Sequence, residues 1–122
     1  MPMPNLMLLY VEDPPASARF YEALFEQPPA AVYPTYAAFE SAQGWHLGLW
    51  SSKARDFVSG GSGHRAEIAF LVPGDEQVLA LYERWHALGV AIEQPPHHAV
   101  FGLTFVALDP DGHRIRVCTP DG

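Results

Sequence analysis

At 122 residues the chain is long enough to form one domain with a real hydrophobic core. Hydrophobic residues at 48% and charged residues at 17% are the proportions of a soluble globular protein. Seven Lys+Arg against fourteen Asp+Glu leave a net charge of −7, which argues against nucleic acid as a partner, because neutralising phosphates takes clustered basic residues.

The N-terminus "MPMPNLMLLYVEDPP" has no basic n-region and no cleavage site, so it does not read as a signal peptide. No apolar run approaches the roughly 20 residues of a membrane span. The single Cys118 permits no internal disulfide and reads as a small buried hydrophobe. The expectation is a cytoplasmic protein with no membrane partner.

The first element is a strand through "LMLLYV", followed by a helix. Asp13 is placed to cap that helix and Pro14 to open it at N1, where a missing N–H costs nothing. Ser17, Tyr21, Leu24 and Phe25 fall on one helical face. Short extended runs follow in "AAVY", "YAAFESA" and "WHLGLWS", with "QG" turning between the last two. The Gly/Ser-rich "SSKARDFVSGGSGHR" reads as a linker. Beyond it, "EIAFLV" is a strand. Val78, Leu81, Tyr82, Trp85 and Leu88 form the stripe of a second helix, and Gly89 supplies its stop. Both aromatic stripes read as core. The last runs are "VAIEQ", "GLTFVALD" and "HRIRVCT", with "PDG" turning the final pair. "QPPHHAVFG" is expected to be a loop, since Pro95 and Pro96 block strand pairing.

The two halves repeat. Offset by 61 residues, "LMLLYVEDPPASARFYEALF" falls on "EIAFLVPGDEQVLALYERWH", with Val11 on Val72, Tyr21 on Tyr82 and Glu22 on Glu83. Each half reads βαβββ, so the fold class is α+β. Module one covers 1–52, the linker 53–64 and module two 65–122. Two such modules are expected to form one curved mixed sheet, with helices on its convex side and a cleft on its concave side. Strand parity then names the cleft lining. His46, Gly48 and Trp50 share it if Leu47 and Leu49 are core. Glu67, Ala69 and Leu71 share it if Ile68, Phe70 and Val72 pack on the helix. Arg114, Arg116 and Cys118 share it if Ile115 and Val117 do so.

With these elements in place, the chain resembles the vicinal oxygen chelate superfamily of glyoxalases, bleomycin-resistance proteins and ring-cleaving dioxygenases. The matching stretches are "LLYVEDPPASARFYEALF", "LGLWS" and "FGLTFVALDPDGHRIRV", and the likeness covers essentially the whole chain. The last two together are most similar to the phenazine-antibiotic-resistance branch, whose members are small dimeric binders of flat aromatic drugs. Metal enzymes of the superfamily hold a divalent cation with four His/Glu side chains. Those positions fall here on Leu6, Gly48, Glu67 and Arg116. Only Glu67 is a ligand type, and a guanidinium repels a cation, so no metal or other cofactor is expected. No nucleophile or phosphate-loop motif is present either.

The resemblance therefore implies a non-enzymatic binder of an aromatic antibiotic of phenazine or bleomycin type. Trp50 is the best stacking candidate, with Tyr36, Phe39, Phe101 and Phe105 as neighbours and Phe57 closing from the linker. Arg116 is expected to meet a ligand carboxylate, while His46 and Glu67 complete the polar lining. The acidic balance favours a cationic ligand instead; the local groups favour a planar acid. A homodimer is expected, with "MPMPNLM" or "PPHHAVFG" bordering the partner's cleft. A glyoxalase- or dioxygenase-type enzyme with a rearranged site, and a ligand-sensing module, remain alternatives.

Overall fold

The structure, a computed structural model, describes residues 5–53, 66–99 and 101–119. The chain divides into two compact units, 1–61 and 62–122. Residues 54–65, which include most of the linker and Phe57, lie outside the described residues.

The first unit runs β1 (Leu6–Val11), α1 (Pro14–Phe25), β2 (Ala31–Tyr33), β3 (Tyr36–Glu40) and β4 (His46–Ser51). Its sheet has the order β1-β4-β3-β2, with β1 parallel to β4 and the other pairs antiparallel. The helix begins where the sequence says it should. Asp13 is the N-cap, its carboxylate accepts from the Ala16 N–H at 3.2 Å, and prolines fill the first two positions. Tyr21 and Leu24 bury one helix face, and Phe25 meets Phe39 edge-to-face at 5.2 Å. Leu9, Val11, Ala37, Phe39, Leu47 and Leu49 are buried strand hydrophobics of this unit.

The second unit repeats that plan with β5 (Glu67–Leu71), α2 (Asp75–Ala87), β6 (Ala91–Ala99), β7 (Gly102–Leu108) and β8 (Arg114–Cys118). The order is β5-β8-β7-β6, with β5 parallel to β8. The acids Asp75 and Glu76 open α2, and Arg84 and His86 close it, both favourable to the helix dipole. Gly89, at φ +82°, ends it: its N–H reaches the His86 carbonyl, and Val90's reaches Trp85's. This is the Schellman arrangement a glycine makes easy. Trp85 is fully buried and meets Phe70 and Phe105 edge-to-face at 5.3 and 5.5 Å. Leu88, expected in the buried stripe, is the C-cap and stands half exposed.

One expectation is overturned. "QPPHHA" is strand, not loop: β6 continues through Pro95 and Pro96 to Ala99. The register shifts between Ile92 and Gln94 and again between Gln94 and His97, so the prolines fall in an irregular stretch. As the outermost strand of its sheet, β6 also has a side that needs no N–H donors, which is where proline is tolerated.

Candidate functional site

In both units the helix covers one sheet face, and alternation assigns the opposite face. In the first unit that face carries Leu6, Leu8 and Tyr10 from β1, exposed by 51%, 37% and 39%. It also carries His46, Gly48 and Trp50 from β4, since Leu47 and Leu49 are fully buried. Register pairs Tyr10 with Trp50, Trp50 with Tyr36, and Tyr36 with Tyr33. Four aromatic residues therefore stand in one row across all four strands. The Tyr10 and Trp50 rings lie 5.9 Å apart, tilted by 48°.

The neighbouring row is Leu8, Gly48, Ala38 and Ala31. Gly48 is there because nothing larger fits. A β-carbon would stand 2.7 Å from Leu8 Cδ1 and 2.9 Å from the Tyr36 hydroxyl, which both lean over the glycine. The third row holds Leu6, His46 and Glu40, with His46 Nδ1 3.6 Å from the Glu40 carboxylate.

The corresponding face of the second unit is ionic. Arg116 aims Nε and Nη2 at the two oxygens of Glu67, at 2.8 and 3.1 Å, in the bidentate geometry a guanidinium favours. That hydrogen bond is the main reason the Arg116 pKa is raised. Nη1 donates at 3.2 Å to the buried Thr104 hydroxyl, which itself donates to the Val117 carbonyl at 2.8 Å. Arg114 adds Nη1 to Glu67 at 3.2 Å and sets Nε 3.0 Å from Glu93. The guanidinium carbon of Arg116 is 5.5 Å from the centroid of the Phe101 ring, within cation–π range. Cys118 shares this face and is a buried free thiol.

A second polar feature sits in the β7–β8 turn. Asp109 Oδ1 accepts from the N–H groups of Asp111 and His113, at 2.9 and 2.8 Å, and Oδ2 lies 2.7 Å from His113 Nδ1. The bond to this buried carboxylate raises the His113 pKa above its ordinary 6.5, against the opposing effect of burial. Gly112, at φ +84°, permits the tight turn.

Trp50, Tyr36 and His46 thus share one face, and Glu67, Arg116 and Phe101 share another. Phe39 and Phe105 do not belong with them. Phe39 pairs with Leu47 and Phe105 with Val117, both on the helix side, and they are 3% and 0% exposed. Their parity along β3 and β7 forces this. Arg116, expected to meet a ligand carboxylate, is engaged by the Glu67 carboxylate. Tyr10 and Tyr33 were not expected, although the parity that selects Trp50 selects Tyr10 once Leu9 and Val11 are core. Among the described residues, no three His, Cys, Asp or Glu side chains gather where they could hold a metal ion, and no helix is long and apolar enough to cross a membrane.

Comparison with known proteins agrees with this architecture. The family model "Glyoxalase/Bleomycin resistance protein/Dioxygenase superfamily" matches residues 4–117. A phenazine antibiotic resistance protein, EhpR of Enterobacter agglomerans, is 35% identical over 121 residues, covering 97% of this chain and 92% of that protein. A solution structure of an Agrobacterium tumefaciens protein superposes with a TM-score of 0.86 at 43% identity, over the full length of both chains. The crystal structure of a glyoxalase-related enzyme from Fulvimarina pelagi superposes with a TM-score of 0.81 at 25% identity, covering 98% of this chain and 90% of that one. With a family match across nearly the whole chain and the βαβββ plan present twice, the protein belongs to the glyoxalase/bleomycin resistance protein/dioxygenase superfamily.

Proposed function

We propose that this protein binds a planar aromatic small molecule of the phenazine class without transforming it, and does so as a homodimer. The observation that carries this reading is the row Tyr10–Trp50–Tyr36 on the open face of the first unit. Half-exposed rings in one row suit offset stacking of a flat ligand. The likeness to a phenazine resistance protein supports the same ligand class.

The donor set of the superfamily's metal enzymes does not fit here. Leu6 and Gly48 offer no ligand atom, Arg116 is cationic, and the Glu67 carboxylate is held by two arginines. A divalent ion at these positions would have to displace both guanidinium groups from the only carboxylate.

Titration of tryptophan fluorescence with phenazine derivatives and with bleomycin tests the reading. Saturable quenching by a phenazine, lost in Trp50→Ala, is expected. Absence of quenching up to high micromolar concentration would reject it, and stoichiometric metal in protein purified without chelators would favour an enzyme. Sedimentation analysis decides the dimer.

A further inference from the structure

Arg116 looks, by its chemistry, like a receptor for a ligand carboxylate. Its surroundings say otherwise. Nε and Nη2 are both committed to Glu67, and Nη1 to Thr104. The next arginine on the strand, Arg114, is likewise matched by Glu67 and Glu93. Two positive and two negative groups share this face, so its formal charge is zero. An incoming carboxylate would meet a guanidinium whose strongest bidentate edge is occupied and would face the repulsion of Glu67 beside it. To be accepted, it would have to evict that carboxylate into a setting with less compensation. What the cluster does offer is planar surface: a guanidinium pinned at three nitrogens, 5.5 Å from the Phe101 ring. Planar cations and aromatic rings stack on uncharged heteroaromatic faces without requiring an anion.

We propose that Glu67 is the specificity-determining residue of this surface: by neutralising Arg116 it selects uncharged planar aromatics over their carboxylate forms. The inference rests on the reading above only in its ligand class, a planar aromatic, and concerns the second unit's own face, where Phe101 and the Arg116 guanidinium lie together.

The test compares two nearly isosteric probes, phenazine-1-carboxamide and phenazine-1-carboxylate, by fluorescence titration or calorimetry near neutral pH. The carboxamide is expected to bind at least about tenfold more tightly to the native protein. Glu67→Gln, which keeps side-chain size and one acceptor but frees the charge of Arg116, should shift the affinity ratio about tenfold toward the carboxylate. The double variant Glu67→Gln/Arg116→Gln should return it toward the carboxamide. Circular dichroism checks folding. If Glu67→Gln is unfolded, the ratio of the two probes on the native protein decides. Equal or tighter carboxylate binding by the native protein, or a ratio unmoved by the substitution in a folded variant, overturns the inference while leaving the binder reading intact. Failure of both probes to bind overturns both.

Discussion

The two halves of this chain share a plan and differ on one face. Strand order, the parallel pair and the helix-covered side are the same in both. The opposite faces have diverged. Through the repeat, the neighbours Leu8 and Gly48 correspond to Ala69 and Arg116, so the bulky residue changes strand between the halves. Tyr10 and Trp50 correspond to Leu71 and Cys118, and Leu6 and His46 to Glu67 and Arg114. One half therefore presents aromatic rings over a glycine floor, and the other a neutralised ionic cluster. The helix side must fill a core at crystal-like density and tolerates little change. The open side is held only by neighbour-to-neighbour fit, so bulk and charge can be exchanged between strands while the fold stays.

The sharpest way to break this comparison is to truncate a ring on each side. Trp85→Ala, on the helix side, should cost about 3–5 kcal/mol in urea unfolding, whereas Trp50→Ala on the open side should cost less than about 1 kcal/mol and act on ligand binding. Similar losses would mean that Trp50 is core after all. Next, Arg116→Ala should destabilise by about 2 kcal/mol, because it strips Glu67 of its bidentate partner and leaves Thr104 without its donor. A value near zero would mark the cluster as decoration rather than structure.

Gly48→Ala should cost about 1–2 kcal/mol, since Leu8 can swing aside more readily than the rigid Tyr36 ring. The matching readout is Trp50 emission, which should shift as Tyr36 is displaced; an unchanged spectrum and stability would show that the glycine floor has slack. The smallest effect belongs to the turn that joins the last two strands. The His113 pKa is raised in the folded protein, so its ion pair with Asp109 adds stability that is full below the ordinary 6.5 and fades as pH rises through the folded value. After allowance for solvent screening, His113→Asn should therefore lose about 1 kcal/mol more at pH near 6 than near 9, measured by chemical denaturation. The reverse dependence would mean that the ring is held neutral.

Much of this was legible in the chain itself. Period-2 alternation placed Leu47 and Leu49 in the core and Trp50 opposite them; Asp13-Pro14 and Gly89 marked helix ends by local backbone chemistry. The same alternation puts Phe39 and Phe105 on the helix side, although their aromatic chemistry alone suits a stacking site. The prolines of β6 misled for a different reason. Proline forbids pairing only where an N–H must be given, and whether a strand lies at an edge is not written in its own residues.

What the sequence by itself determined was the set of elements, their repetition and the face of each strand, because these follow from near-neighbour sterics and periodicity. Only the tertiary structure decided which side chains from different strands meet. It seated Leu8 and Tyr36 over Gly48, and it fixed the two-bond geometry by which Arg116 holds Glu67, a pair that strand parity makes plausible but does not build. Such pairings depend on register across a sheet and on competition for partners, and no local stretch of chain carries that information.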